Sequence, residues 1–126
     1  MSVTQIKDAE FVQAVRDEAA DSPDYRYEKV HGGCVYVANG VGSCIVGRAL
    51  LKVGVPVAEV AELDDSEKAE ARHALPQFGL SQLVVEWANR VQSKQDGGVY
   101  DAQGLPWGEA VKEADAGVGD PLAGAE

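Results

Sequence analysis

The sequence predicts an α+β fold in which a small antiparallel β-sheet packs with about five helices. Three observations lead to this prediction. The segment from Tyr25 to Val37 contains two runs of alternating side chains separated by Gly32-Gly33, as in a β-hairpin. An Asn39-Gly40 pair then supplies the positive φ angles that a tight turn requires. Elsewhere, apolar residues recur at helical spacing.

The length and the composition indicate a single globular domain over residues 1–116 and a disordered tail over residues 117–126. Of the 126 residues, 45% are hydrophobic and 25% are charged, as in an ordinary globular protein. A chain of this length can bury a sufficient core without disulfides. The last ten residues are rich in glycine and alanine and have neither helical nor strand periodicity.

The predicted hairpin can close through two alternative loops. A two-residue loop, Gly32-Gly33, mixes charged and apolar side chains on both faces of the strands. A three-residue loop, which adds His31, separates them and places four apolar or aromatic side chains together: Tyr25, Tyr27, Val35 and Val37. Because a shift of one residue turns every side chain to the opposite face, we favour the three-residue loop.

A helix over residues 44–53 is predicted to follow the hairpin. Ser43 precedes it at the N-cap position, where a hydroxyl can accept a hydrogen bond from a first-turn amide. Gly47 lies inside this helix and costs roughly 1 kcal/mol relative to alanine. We therefore expect the hairpin backbone to approach Gly47 closely. Gly54 is expected to end the helix in a left-handed conformation.

The other helices are predicted from apolar stripes and from residues that begin or end helices. The first is capped by Thr4 and ends before Ser22-Pro23, because the residue before a proline is displaced from the helical conformation. The clearest amphipathic pattern begins at Ser81, and its apolar stripe comprises Leu80, Leu83, Val84, Trp87, Ala88 and Val91. The buried face of the last helix is predicted to comprise Trp107, Val111 and Ala114. In chain order, the predicted segments are residues 4–20, 55–63, 64–75 and 81–94 and a last helix from Trp107. A short third strand is predicted at residues 99–101.

The net charge argues against a nucleic-acid partner. The 21 acidic and 11 basic residues give a formal charge of −10, and no cluster along the chain has more than two basic residues. Nucleic-acid binding draws most of its affinity from Lys and Arg side chains that neutralise phosphates. The acidic surface either imitates nucleic acid or serves solubility, and the sequence leaves both open.

We expect a cytoplasmic protein with no membrane partner. No apolar run approaches the roughly 18 residues of a membrane span. The first residues also lack the basic and apolar regions of a secretory signal. Two cysteines are too few for a disulfide scaffold, which favours a reduced setting.

Cys44 and His31 are the candidate catalytic residues if the chain is an enzyme. A cysteine at a helix N-terminus has a lowered thiol pKa, and a histidine can act as its base. Against this role, Cys44 is flanked by Ile45 and Val46, and no Asn or Asp is evident that would orient His31. We therefore expect Cys44 to be buried, reduced and structural.

No metal or cofactor is expected. Cys34, Cys44 and His31 supply at most three ligands, whereas zinc takes four in a tetrahedral array. The glycines before Cys44 could offer backbone amides to a phosphate. They lack the lysine of a P-loop and do not match a dinucleotide-binding fingerprint. A disulfide between Cys34 and Cys44 is a further, less favoured alternative.

Three segments together carry a resemblance. They read Gly33-Cys-Val-Tyr-Val37, Gly42-Ser-Cys-Ile-Val-Gly-Arg-Ala-Leu50, and Gln92-Ser-Lys-Gln-Asp-Gly97 followed by Trp107-Gly-Glu-Ala110. This pattern resembles a family of small uncharacterised proteins from phages that infect actinobacteria, over roughly residues 25–114. The resemblance implies a phage protein that acts in a bacterial cytoplasm, and it implies no particular reaction.

The sequence thus supports two classes of function. The first is a non-enzymatic phage accessory protein that binds and modulates a host protein. The alternative is a small cysteine-dependent hydrolase or transferase that uses Cys44 with His31. The incomplete catalytic set favours the first.

The predicted binding surface lies on one face of the hairpin and comprises Arg26, Val30 and Tyr36. Arginine and tyrosine are favoured at interface hot spots, and an open strand edge tends to be covered. The partner is a host protein or a second copy of the chain in a homodimer. Alternatively, the first helix covers this edge.

Overall fold

The structure is a computed structural model that describes residues 4–25, 36–38, 41–42, 44–64, 71–96, 105–119 and 121. The described helices are α1 (Asp8–Asp21), α2 (Ile45–Lys52), α3 (Val57–Asp64), α4 (Ala71–Ala74), α5 (Gln82–Asp96) and α6 (Trp107–Val118). A 3₁₀ helix, Leu75–Phe78, follows α4 directly. Two strands of two residues each, β1 (Val37–Ala38) and β2 (Val41–Gly42), precede α2.

The predicted α+β fold is wrong, because the described part of the chain is a helical assembly. Among the described residues, the β1–β2 pairing joins Val37 with Gly42 and Ala38 with Val41, in antiparallel register. A pairing this short is a chain reversal ahead of α2 and forms no layer of the core, since a stable sheet needs three or more strands or a helix-covered face. Residues 26–35 and the predicted third strand at residues 99–101 lie outside the described residues.

Helix α1 begins four residues later than predicted. Lys7 is the N-cap residue, and Thr4 does not cap the helix. The backbone amide of Thr4 instead donates to a carboxylate oxygen of Glu59 at 3.4 Å. The amide of Ile6 donates to the Phe78 carbonyl at 2.9 Å. The first described residues therefore run across α3 and the 3₁₀ helix before α1 begins. Its end at Ser22 agrees with the prediction.

The glycines around α2 have the roles that were predicted from the sequence. A methyl group added at Gly47 would lie 2.8 Å from the carbonyl carbon of Tyr36, so the backbone before β1 does approach this helix closely. Gly54 ends the turn after α2 with a φ angle of 99°. The predicted cap, Ser43, lies outside the described residues, and the N-cap residue of α2 is Cys44.

The core is formed mainly by α1, α2, α5 and α6. The predicted apolar face of α6 is confirmed, since Trp107, Val111 and Ala114 are buried. On α5 the predicted stripe is correct except at Leu83, which is 48% exposed. Helix α6 continues through Val118 and so includes the first two residues of the predicted tail.

A polar contact at Asp115 ties three helices together. Arg16 of α1 donates two hydrogen bonds of 3.1 Å to the Asp115 carboxylate on α6. The indole Nε1 of Trp87 on α5 donates to the same carboxylate at 2.9 Å. The Arg16 guanidinium also lies 5.2 Å from the centroid of the Trp87 ring, at cation–π distance. These contacts fix the relative positions of α1, α5 and α6.

Candidate functional site

Cys44, the candidate nucleophile, has no exposed surface. It is the N-cap residue of α2, and its Sγ accepts a hydrogen bond of 3.3 Å from the Gly47 amide. This bond satisfies one of the first-turn amides that a helix leaves without an intrahelical acceptor. His31, the candidate base, lies outside the described residues. Because a sulfur that caps a helix inside the core is not accessible to a substrate, the observed position is that of a structural cysteine.

A group of buried polar side chains lies at the start of α2, and we call it the core polar cluster: Tyr36, Gln92, Gln95 and Trp107. The Gln95 Oε1 accepts hydrogen bonds from the Trp107 indole at 3.2 Å and from the Ile45 amide at 3.3 Å. The Tyr36 hydroxyl and the Gln92 Oε1 are 3.5 Å apart. Sequence reasoning missed the two glutamines, because a glutamine on an amphipathic helix is normally assigned to its exposed side.

The core polar cluster brings together residues from all three segments of the sequence pattern. Tyr36 belongs to the first segment of the resemblance, Ile45 to the second, and Gln92, Gln95 and Trp107 to the third. Their side chains or amides meet in the core through the hydrogen bonds described above. These described residues of the pattern therefore contribute packing and hydrogen bonding inside the protein.

The predicted binding surface requires a correction at Tyr36. This residue is only 2% exposed, and its hydroxyl faces Gln92, so it cannot contribute to an interface hot spot. Arg26 and Val30 lie outside the described residues. The alternating sequence pattern did not reveal that helices cover the side chain of Tyr36.

Arg48 of α2 lies among aromatic rings near the surface. Its guanidinium carbon is 4.9 Å from the centroid of Trp107 and 5.7 Å from that of Tyr25. The two rings are in edge contact, with centroids 4.7 Å apart. Glu18 of α1 lies 3.9 Å from Arg48 and 3.4 Å from Lys52. These contacts hold α2 against α1 and the start of α6, which is a structural role.

An open groove of about 640 Å³ lies between α1 and the end of α2, and we call it the acidic groove. Its described lining has three small or apolar residues, two carboxylates, one amide and one ammonium group: Ala9, Ala14, Val53, Glu10, Asp17, Gln13 and Lys52. Among the described lining residues the cation is Lys52, and its ammonium lies 3.4 Å from the Glu18 carboxylate. The described lining therefore presents mainly negative charge to a ligand.

A second, more enclosed cavity of about 300 Å³ lies between α4, α5 and the end of α6, and we call it the basic cleft. Its described lining has three cations, one carboxylate, two neutral polar residues and one apolar residue: Arg72, Arg90, Lys94, Glu86, Asn89, Ser93 and Val118. The sequence showed no basic cluster of more than two residues. The third cation comes from α4, which the fold places against α5.

The described residues contain no group of three or more His, Cys, Asp or Glu side chains positioned to hold a metal ion. In the same part of the chain, no helix has the length and apolar character needed to cross a membrane.

In the part of the chain that the structure describes, the fold and these sites define a helical protein with a buried core and with charged depressions on its surface. Comparisons with protein-family models, with curated protein sequences and with solved structures find no match for this chain.

The burial of Cys44 predicts slow reaction with thiol reagents. The test uses a Cys34→Ser variant, in which Cys44 is the remaining cysteine, and a neutral aromatic disulfide as the reagent. We expect the native protein to be labelled at least about 100-fold more slowly than the urea-unfolded protein, because exposure of the sulfur requires opening of the core. Labelling at comparable rates in both states would show that Cys44 is accessible and would revive the cysteine-dependent alternative.

Proposed function

We propose that this chain is a non-enzymatic phage accessory protein that binds and modulates a host protein in the bacterial cytoplasm. The acidic groove is the observation that supports a binding role, because it is an accessible depression with both apolar and charged lining. The phage and cytoplasmic setting rests on the sequence resemblance. The hydrolase or transferase alternative requires an accessible nucleophile, whereas Cys44 is enclosed in the core.

The chemistry of the acidic groove indicates the kind of host segment that would bind. Ala9, Ala14 and Val53 provide small apolar surfaces, whereas Glu10 and Asp17 provide carboxylates along the same side of α1. The Asp17 carboxylate already accepts a hydrogen bond of 2.9 Å from Gln13, which fixes its position. A basic segment with one or two apolar side chains is complementary to this surface, because opposite charges steer and orient the encounter.

A homodimer is the competing interpretation of the same surface, and the net charge argues against it. A second copy also carries a formal charge of −10, so two acidic α1 surfaces would repel each other. Tyr36, one of the three residues of the predicted hairpin surface, is buried in the core and is not available for self-association. We therefore assign the acidic groove to a basic partner of a different sequence.

Charge reversal at the acidic groove tests the proposal. We expect the double variant Glu10→Lys/Asp17→Lys to lower the recovery of a specific host protein from a lysate of the bacterial host by at least about tenfold, since like charges placed at an interface cost several kcal/mol. The matched control is Glu62→Lys/Glu113→Lys, which changes the net charge equally at exposed positions on α3 and α6. This control should retain recovery.

Two outcomes would contradict the proposal. If both double variants lose recovery equally, the interaction depends on net charge and does not use the groove. If neither variant, nor the unmodified chain, captures a host protein above the level of an unrelated acidic protein, the binding role is excluded. Sedimentation at tens of micromolar separates these results from self-association, because a dimer would appear without any host protein.

A further inference from the structure

We propose that the basic cleft binds a small molecule that carries a phosphate group. This inference goes beyond the protein-binding role, because the cleft and the acidic groove are built from different residues and recognise opposite charges. The described residues that line this cavity include three of the chain's eleven Lys and Arg residues and one carboxylate. This described lining is net positive, whereas the formal charge of the protein is −10.

The helix geometry explains how these side chains converge. Positions 86, 90 and 94 of α5 follow one another at intervals of four residues, and positions 89 and 93 lie beside them at the same interval. These five positions therefore share one side of the helix. Helix α4 brings Arg72 to one side of this face, where its backbone amide donates to the Asn89 Oδ1 at 3.0 Å. This bond orients the Asn89 side chain, whose amide nitrogen remains a donor.

Arg90 is positioned by close contact with α6. A methyl group added at Gly117 would lie 2.9 Å from the guanidinium carbon of Arg90, so the guanidinium lies directly over this glycine. A side chain at position 117 would displace it. The absence of a side chain at Gly117 therefore allows Arg90 to remain at the edge of the cleft beside Val118.

The carboxylate of Glu86 competes only weakly with a ligand for the cations. The nearest approach described between them is 3.8 Å, from the Arg72 Nε to a Glu86 oxygen, and both side chains are about half exposed. Exposed pairs at this distance contribute little free energy. A dianionic ligand can therefore displace this contact at small cost.

The donor arrangement favours a phosphate group over a carboxylate. A carboxylate is planar and is satisfied by one guanidinium fork, whereas phosphate presents oxygens in several directions. Here two guanidinium groups, an ammonium group, the Ser93 hydroxyl and the Asn89 amide line one cavity. The volume of about 300 Å³ lies at the lower end of the range for ligand sites. It therefore suits a small phosphorylated molecule and excludes a polymer as the enclosed ligand.

Titration with inorganic phosphate tests this site. Backbone amide signals of the ¹⁵N-labelled full chain are followed at constant ionic strength, with chloride as the balancing anion. We expect saturable shifts at residues 86–94. Arg72→Gln and Lys94→Gln should each weaken binding at least about fivefold, because each removes a charge-assisted donor. Lys7→Gln and Lys112→Gln, which change the net charge equally outside the cleft, should leave it unchanged.

A second variant separates positioning from charge. Gly117→Ala removes no charge and replaces glycine with a better helix former, so the fold should remain stable. It should nevertheless weaken phosphate binding by at least about threefold, because it displaces the Arg90 guanidinium. Arg90→Gln should give at least as large a loss.

The proposed site is contradicted if the shifts of the amide signals do not saturate with phosphate. It is also contradicted if the Lys7 and Lys112 variants bind phosphate as weakly as the cleft variants, or if Gly117→Ala and Arg90→Gln keep the full phosphate affinity. Acetate that binds as tightly as phosphate would overturn the phosphate assignment in favour of a carboxylate ligand. The groove variant Glu10→Lys/Asp17→Lys should bind phosphate normally, so failure of the protein-binding proposal and failure of this site are distinguishable.

Discussion

Replacing Gly47 with alanine is expected to lower the free energy of unfolding by about 3 kcal/mol, the upper end of the usual cost of overpacking a buried contact. Inside an isolated helix the same change would stabilise by roughly 1 kcal/mol, because alanine is the better helix former. Here the added methyl group would lie 2.8 Å from the Tyr36 carbonyl carbon and 2.9 Å from its Cα. These are backbone atoms, so the strand or the helix must move. The sign of the effect is therefore opposite to that predicted by helix propensity.

Urea unfolding followed by tryptophan fluorescence measures this effect, since Trp87 and Trp107 are both fully buried. Gly54→Ala is the matched control: its φ angle of 99° disfavours alanine, but no atom lies within contact distance of the new methyl group. We expect this control to cost about 1 kcal/mol. A Gly47→Ala protein as stable as the control would mean that the contact with Tyr36 is not maintained in solution.

The close approach at Gly47 was foreseeable from the sequence, because a glycine inside an apolar helix is unfavourable unless another backbone lies against it. The helical segments could also be predicted, since stripes such as Trp107, Val111 and Ala114 report which side of a helix is buried. Their boundaries were less accurate. Threonine is a residue type that caps helices well, but the backbone amide of Thr4 instead donates a hydrogen bond to the Glu59 carboxylate on α3.

The fold class could not be derived from turn signals alone. Asn39-Gly40 correctly indicated a chain reversal between Val37–Ala38 and Val41–Gly42. Such a signal specifies only the direction of the backbone, and the extent of a sheet depends on which neighbours bury its faces. In the described residues helices bury this region, as the covered side chain of Tyr36 shows.

The candidate sites depend on tertiary contacts that a local pattern does not contain. Arg72 and Lys94 are separated by 22 positions, so their convergence requires the packing of α4 on α5. Cys44 was correctly expected to be buried, but its capping bond to Gly47 follows from the backbone geometry of the helix start. The buried role of Gln95 likewise depends on two donors from other elements.

Gln95→Met is expected to lower the free energy of unfolding by about 2–5 kcal/mol, since each buried donor left without an acceptor costs about 1–3 kcal/mol. Methionine has a similar length and preserves the packing volume. It removes the Oε1 atom that accepts from the Trp107 indole and from the Ile45 amide. Gln82→Met makes the same change at an exposed position of α5 and should remain within about 0.5 kcal/mol of the unmodified protein.

A double-mutant cycle with Trp107→Phe distinguishes the lost hydrogen bonds from a packing defect. Phenylalanine removes the indole N–H, so Gln95→Met then leaves one donor, the Ile45 amide, without this acceptor. In that background we expect Gln95→Met to cost about 1 kcal/mol less than in the unmodified protein, because one desolvated donor has been eliminated. Equal costs in both backgrounds would assign the effect to packing. The core polar cluster would then stabilise the protein through packing alone, and the coupling free energy between Gln95 and Trp107 would be zero within error.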